Sequence, residues 1–128
     1  MNFFDVTLVG TKEEMYADGG TFRLTVPAEK AGPLSDYLGK DVVFGVRPED
    51  IRDAQFASSG RADASVSGRV DVTQFMGKDI LVHLLTGEKG FVARVGRRTQ
   101  TQIGADMDVV IDMENAHFFD RRTEEAIY

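Results

Sequence analysis

Ile80-Leu81-Val82-His83-Leu84-Leu85-Thr86-Gly87-Glu88-Lys89-Gly90-Phe91-Val92-Ala93-Arg94-Val95 is the stretch on which the fold turns. Ile80, Val82 and Leu84 occupy alternate positions, the chain stops at Thr86 to Gly90, and Phe91 to Val95 returns. A two-residue period on either side of a glycine turn is the pattern of a β-hairpin. The same pattern recurs outward from it. Upstream, Ala64, Val66, Gly68, Val70 and Val72 share one face of a strand, which Phe75-Met76-Gly77-Lys78-Asp79 breaks. Near the start, Phe4, Val6 and Leu8 alternate with Asp5, Thr7 and Val9, and Phe22, Leu24 and Val26 with Arg23 and Thr25. Tyr16-Ala17-Asp18-Gly19-Gly20 reads as the turn between them. Pro27 cannot donate to a ladder and ends that strand. Ala28 to Lys40 reads as a loop, with at most one helical turn around Leu34, Tyr37 and Leu38. A third strand covers Val42 to Arg47, and Pro48-Glu49-Asp50-Ile51 turns the chain. Downstream, Gly104-Ala105-Asp106 is a turn before strands at Val109 to Met113 and Ala116 to Phe119. No segment sustains a helical period over ten residues. Many short strands with frequent glycine turns predict an all-β barrel or sandwich of at least eight strands.

Asp41-Val42-Val43-Phe44-Gly45-Val46-Arg47-Pro48 is echoed by Asp108-Val109-Val110-Ile111-Asp112-Met113-Glu114-Asn115, 67 residues later (108 − 41). Two similar β units packed together explain the echo; coincidence explains it equally, because Asp-Val-Val opens many unrelated strands. On the first explanation the units are about 1–52 and 64–128. The linker is then about 53–63, where Ser58-Ser59-Gly60 sits among few large apolar residues.

Composition narrows the function. The chain has 128 residues, 42% of them hydrophobic and 28% charged, which is an ordinary globular balance. No apolar run approaches the ~20 residues of a spanning helix. Met1 to Gly10 lacks the leading positive charge of a signal peptide and is interrupted by Asp5. With no cysteine there are no disulfides, thiolate zinc sites or cysteine nucleophiles. Fifteen Lys and Arg against 21 Asp and Glu give a net charge of −6, which opposes binding to a phosphate backbone. The arginine pairs Arg97-Arg98 and Arg121-Arg122 read as solvated turns.

Catalytic patterns are missing. Gly77-Lys78 is followed by Asp79 rather than Ser or Thr, so there is no Walker A loop, and no Gly-x-Ser-x-Gly elbow occurs. His83 and His117 have no local partners at metal-ligand spacing. The carboxylate pairs Glu13-Glu14, Glu49-Asp50 and Glu124-Glu125 are adjacent, and neighbours on a strand point to opposite faces. They read as solvated charges. Arg47-Pro48-Glu49-Asp50 differs in kind. Proline fixes its own φ and holds the preceding Arg47 extended, leaving Glu49 and Asp50 placed to cap the following turn. The result is a rigid charged corner suited to docking.

Val43-Phe44-Gly45-Val46-Arg47-Pro48-Glu49-Asp50-Ile51 resembles a signature of ABC import ATPases of the maltose and sugar-phosphate type, usually Gly-Ile-Arg-Pro-Glu-His or Asp. Met1-Asn2-Phe3-Phe4 is similar to the Met-Asn-Phe-Leu that opens the family's C-terminal regulatory region. Gly68 through Asp79 resembles its Gly-x-Val strand and Gly-x-Glu turn. His117-Phe118-Phe119-Asp120 with Thr123-Glu124-Glu125-Ala126-Ile127 resembles its ending, His-Leu-Phe-Asp and Thr-Gly-x-Ala-Ile. The sequence departs from the pattern at Asp79, where Glu is usual, and at Glu124, where Gly is usual.

The resemblance implies a TOBE (transport-associated OB, MOP-like) domain built from OB-like β barrels across residues 1–128. It implies a non-catalytic regulatory and dimerisation role in the ATP-binding subunit of a sugar-import ABC transporter. The nucleotide-binding domain is absent from this chain, and Met1 resembles an internal methionine, so an excised domain of a longer protein is expected. The implied partners are a second ATPase subunit, the transporter membrane subunits and a regulatory protein, at the cytoplasmic face of the inner membrane and without direct membrane insertion. No catalytic, metal or cofactor residue is expected here; ATP and Mg belong to the parent protein. The expected contact residues are Arg47, Pro48, Glu49 and Asp50 at the corner, with Gly77, Lys78 and Asp79 at the second turn. Two other functions compete. One is an oxyanion or small-ligand site, for which Thr73, Lys78 and Ser65 to Ser67 are the nearby candidates. The other is an OB-fold nucleic-acid module using the nine phenylalanines, most of which read as core.

Overall fold

A computed structural model describes residues 1–56 and 64–127. The strands are β1 (Asn2–Gly10), β2 (Met15–Asp18), β3 (Arg23–Thr25), β4 (Asp41–Val46), β5 (Ile51–Asp53), β6 (Ser65–Met76), β7 (Asp79–Thr86), β8 (Lys89–Gly96), β9 (Asp106–Ile111) and β10 (His117–Asp120). They form two antiparallel five-stranded sheets, ordered β10-β4-β1-β2-β3 and β5-β9-β6-β7-β8. The expected all-β architecture is the one observed. Inward residues alternate as the sequence requires: Phe4, Val6 and Leu8 on β1, Ile80, Val82 and Leu84 on β7, and Phe91, Ala93 and Val95 on β8 are buried. Phe4 ties the sheets together. Its ring centroid lies 6.0 Å from Phe44 in its own sheet and 5.6 Å from Phe91 in the other, and Phe44 continues to Phe118 at 5.3 Å. Of the nine phenylalanines, Phe4, Phe44, Phe91 and Phe118 are core and Phe22 packs against it.

Three expectations require correction. Residues 16–18 belong to a strand rather than a turn, because Met15 and Ala17 alternate inward and pair with β1; the turn begins at Gly19. The segment after Pro27 is helical: α1 (Ala28–Leu34) runs into a 3-10 turn at Ser35–Tyr37, burying Lys30, Ala31 and Leu34. Seven residues are too few to show a helical period in sequence. Finally, β6 continues through Phe75 and Met76, so that only Gly77 and Lys78 form the turn. Gly77 has φ +62, a conformation that costs glycine least. A bulge between Val70 and Val72 leaves Val72 facing solvent.

The internal echo is structural, with a different register. β9 begins 65 residues after β4 (106 − 41), and the 3-10 turns Pro48–Asp50 and Met113–Asn115 keep that offset (113 − 48). Val42, Phe44 and Val46 then match Met107, Val109 and Ile111, all buried. The Asp50 N–H donates to the Arg47 carbonyl at 3.0 Å, and the equivalent Asn115 N–H to the Asp112 carbonyl at 3.2 Å. The two units interlock. β5 leaves the first corner to pair with β9, and β10 leaves the second to pair with β4. Ile51–Asp53 is therefore hydrogen-bonded sheet and Ala54–Phe56 a 3-10 turn; the rest of the expected linker, 57–63, lies outside the described residues.

Asn2, on the central strand of the first sheet, joins it to the edge strand β8 of the second. Its Nδ2 donates to the Val92 carbonyl at 2.8 Å, and the Val92 N–H donates to its Oδ1 at 2.8 Å. A side-chain amide thus supplies both bonds that a neighbouring strand would give the free edge of β8. Asn2→Ala is expected to cost about 1–3 kcal/mol, since it orphans a donor and an acceptor together. Urea unfolding should show this as a lower midpoint at unchanged slope.

Candidate functional site

The Arg47–Asp50 corner forms where β4 ends against a proline. Arg47 has φ −81 and ψ 151, the extended conformation that Pro48 imposes, and Pro48 opens the 3-10 turn. The corner packs on β8. Arg47 and Glu49 are exposed, Pro48 and Asp50 half-buried, and Arg47 makes no ion pair among the described residues. Glu49 and Asp50 do not cap the turn as expected; no side chain caps it. Asp50 instead faces the second copy of the motif. Its carbonyl accepts from the Asp112 N–H at 2.9 Å, and its Oδ1 takes a long 3.4 Å contact from Asn115 Nδ2, which also donates to Asp112 Oδ2 at 2.8 Å. Capping does occur in that second copy, where Asp112 Oδ1 accepts from the Glu114 N–H.

Burial raises the Asp50 carboxyl above its ordinary pKa, and the nearby Asp112 and Glu49 reinforce the shift; Arg47 and Arg52 oppose it. A raised carboxyl binds its proton more readily in the folded than in the unfolded state. Its contribution to stability therefore falls as pH rises through the window just above the ordinary carboxylate value.

The Gly77 turn is held from one side. Arg97 Nε donates to the Gly77 carbonyl at 2.9 Å, and Arg94 places Nε and Nη2 on Asp79 Oδ2 at 2.8 and 2.7 Å. Asp79, one carbon shorter than the usual Glu, thus spans only to the neighbouring strand. Lys78 is left exposed at the tip. Among the described residues no hydrogen bond or ion pair joins this turn to the corner. Both segments instead border the β8 side of the second sheet.

The remaining candidates do not converge. His83 is half-buried and contacts Gln74 Oε1 at 3.1 Å; His117 lies beside the Phe119 ring. Among the described residues no group of three His, Cys, Asp or Glu is placed to hold a metal. Thr73 lines a cleft that neither Lys78 nor Ser65 to Ser67 reaches, and Asp53, Asp106 and Asp108 border it against Arg97. An oxyanion meets more negative than positive charge there.

The turn at 120–125 holds a left-handed residue at Glu124, the position where the resemblance expects glycine. Glu124 has φ +63, the left-handed conformation that suits the usual glycine. Asp120 organises the turn. Its Oδ1 accepts from the N–H groups of Arg122 and Thr123, its Oδ2 from the Tyr37 hydroxyl at 2.9 Å, and these bonds hold its pKa below the ordinary value. Glu124→Gly is expected to stabilise by about 0.5–1 kcal/mol, relief of left-handed strain being offset in part by glycine entropy. A rise in Tm by differential scanning calorimetry checks this; a fall would mean that the Glu side chain contributes more than its backbone costs.

Comparison with known proteins places this geometry. The MalK OB fold domain matches residues 1–51 and the TOBE domain residues 44–119, so the corner lies in their overlap. The oligosaccharides import ATP-binding protein MsmX of Bacillus subtilis is 34% identical over 99% of this chain and 34% of its own length. The trehalose/maltose import ATP-binding protein MalK of Thermococcus litoralis is 34% identical over 100% of this chain and 34% of its own. The multiple sugar-binding transport ATP-binding protein MsmK of Streptococcus mutans is 33% identical over 99% of this chain and 33% of its own. The chain therefore spans about a third of the length of these relatives. Among solved structures, the cytoplasmic molybdate-binding protein ModG with molybdate bound superposes with a TM-score of 0.66 over 91% of this chain and 94% of that one; at 22% identity the likeness concerns the fold alone. From the alternation of its strands to its proline corner, the chain belongs to the TOBE domain family, with a MalK OB fold domain at residues 1–51.

Proposed function

We propose that this chain is the non-catalytic regulatory and dimerisation domain of the ATP-binding subunit of a sugar-import ABC transporter. The observation that carries the reading is the extent of the match: sugar-import ATP-binding proteins align with this chain over 99 to 100% of its length, using a third of theirs. ATP and Mg then act in the remaining part of such a subunit, at the cytoplasmic face of the membrane. The partners are a second subunit, the membrane subunits and a regulator.

In this role the domain works by packing. Arg47, Glu49 and Lys78 present charge at the ends of rigid strands, where loops meet partners without disturbing the core. Interface charges govern association more than folding. Arg47→Glu combined with Lys78→Glu, introduced into the ATP-binding subunit that carries this domain, is expected to weaken subunit dimerisation or regulator binding. Domain stability should change by no more than about 0.5 kcal/mol, as for exposed sites. Analytical ultracentrifugation reads the first and thermal unfolding the second. Unchanged association and regulation, or outright unfolding, would make these segments structural.

A further inference from the structure

Phe75 lies opposite Ile80 in the β6–β7 ladder, so both side chains stand on the same face of the sheet. Ile80 is 4% exposed, yet Phe75 is 75% exposed. The core-facing side of the hairpin runs on past the end of the core. There it forms one wall of a cleft of about 960 Å³, within the range of about 300–1,000 Å³ typical of small-molecule sites. The other walls come from the residues that follow β5, from the 97–102 segment after β8, and from β9.

The chemistry of the lining selects the ligand. Asp53, largely buried at the back, is already satisfied: its Oδ2 accepts from the Thr99 hydroxyl at 2.8 Å and its Oδ1 from the Gln55 N–H at 3.0 Å. These bonds fix the wall. Asp53, Asp106 and Asp108 outweigh Arg97, which disfavours anions. The side chains of Thr73, Gln100, Thr101 and Gln102 make no hydrogen bond within the described residues, and each both donates and accepts. Neutral two-way groups beside one uncovered aromatic ring match a molecule with many hydroxyls and an apolar C–H face.

We propose that this cleft binds a neutral polyhydroxy ligand, a saccharide of one or two rings, with Phe75 as its stacking platform and Thr73 and Gln102 as hydrogen-bonding contacts. Such a ligand covers the Phe75 ring and satisfies the idle amides and hydroxyls together. The proposal does not depend on the regulatory role above, which subunit association tests separately.

The test is a ¹H–¹⁵N NMR titration of the 128-residue chain with maltose, trehalose and myo-inositol, and with sodium molybdate as the anionic probe. At least one neutral probe should shift the amides of Thr73, Phe75 and Thr99 to Gln102 saturably, and molybdate should not. Phe75→Ala should weaken binding about tenfold or more, the loss of one stacking contact. Its Tm should stay close to that of the parent chain, because the ring is largely outside the core. Gln102→Ala should weaken binding by a smaller factor. Four results overturn the proposal: no saturable shift with any neutral probe, equal binding by Phe75→Ala, an equal response to molybdate, or cleft shifts that follow protein concentration rather than probe, which would assign the surface to a second copy of the chain.

Discussion

Phe118→Ala is expected to remove about 3–5 kcal/mol of unfolding free energy, the cost of emptying a fully buried aromatic site. Phe118 has no exposed surface, lies opposite Phe44 on β4, and packs against it with tilted rings whose centroids are 5.3 Å apart. It belongs to β10, the strand that returns from the second unit to complete the first sheet. The cavity therefore opens where the units interlock, and both should lose stability together. Chemical denaturation followed by hydrogen exchange reads this: protection in β1 and β4 should fall in step with protection in β6 and β9. The neighbouring Phe119 faces outward against Phe3 at 6.1 Å, and Phe119→Ala should cost under about 1 kcal/mol. If the second sheet keeps its protection while the first melts, the strand exchange does not couple the two units.

Lys30 carries the second large effect. It is 2% exposed on α1, and its Nζ donates to the carbonyls of Glu114 and Ala116 at 2.8 and 2.7 Å. One ammonium thus pins the helix of the first unit to the closing turn of the second. Lys30→Ala leaves both carbonyls short of a partner and an aliphatic stem unfilled, and is expected to cost about 2–4 kcal/mol. Lys30→Met restores the stem without the donors and should fall between the two.

A pH dependence separates this bond from simple packing. Burial lowers the pKa of Lys30 from its ordinary 10.5, against the opposing pull of Glu29, Asp112 and Glu114. Between the lowered value and 10.5 the unfolded chain binds more protons than the folded one, so the group's contribution rises with pH there. A neutral amine still has two protons to donate. The parent chain should therefore gain stability relative to Lys30→Met as pH climbs towards 10.5. A flat difference would mean that the ammonium is not desolvated.

Much of this was legible in the chain because strand burial writes itself at a period of two. β1, β7 and β8 follow from their alternation, and the Arg47 geometry follows from Pro48. What failed was short or locally contradicted. The alternation of Met15 and Ala17 is only four residues long and runs into Asp-Gly-Gly, which dominates a local reading. α1 has no period to show over seven residues and holds Gly32 and Pro33; it exists because Lys30, Ala31 and Leu34 find cover. For the candidate site, the corner and the Gly77 turn could be named from sequence, whereas the Asp53–Thr99 bond that builds the cleft wall spans 46 residues and left no local trace.

The sequence by itself determined the all-β class, the central hairpin and the corner, and it raised a repeat that coincidence explained equally well. The repeat's register was another matter. Offsets of 67 and 65 differ by two residues, and a shift of two leaves every inward side chain inward, so alternation cannot tell them apart. Only the tertiary structure decided it, because the strand starts (106 − 41) and the 3-10 turns that follow the strands (113 − 48) both keep an offset of 65. It also decided the face of Phe75: the even-numbered alternation of β6 puts it outward, the bulge between Val70 and Val72 turns it to the Ile80 face, and there it stands uncovered, because what lies opposite a face is set by how distant strands pack.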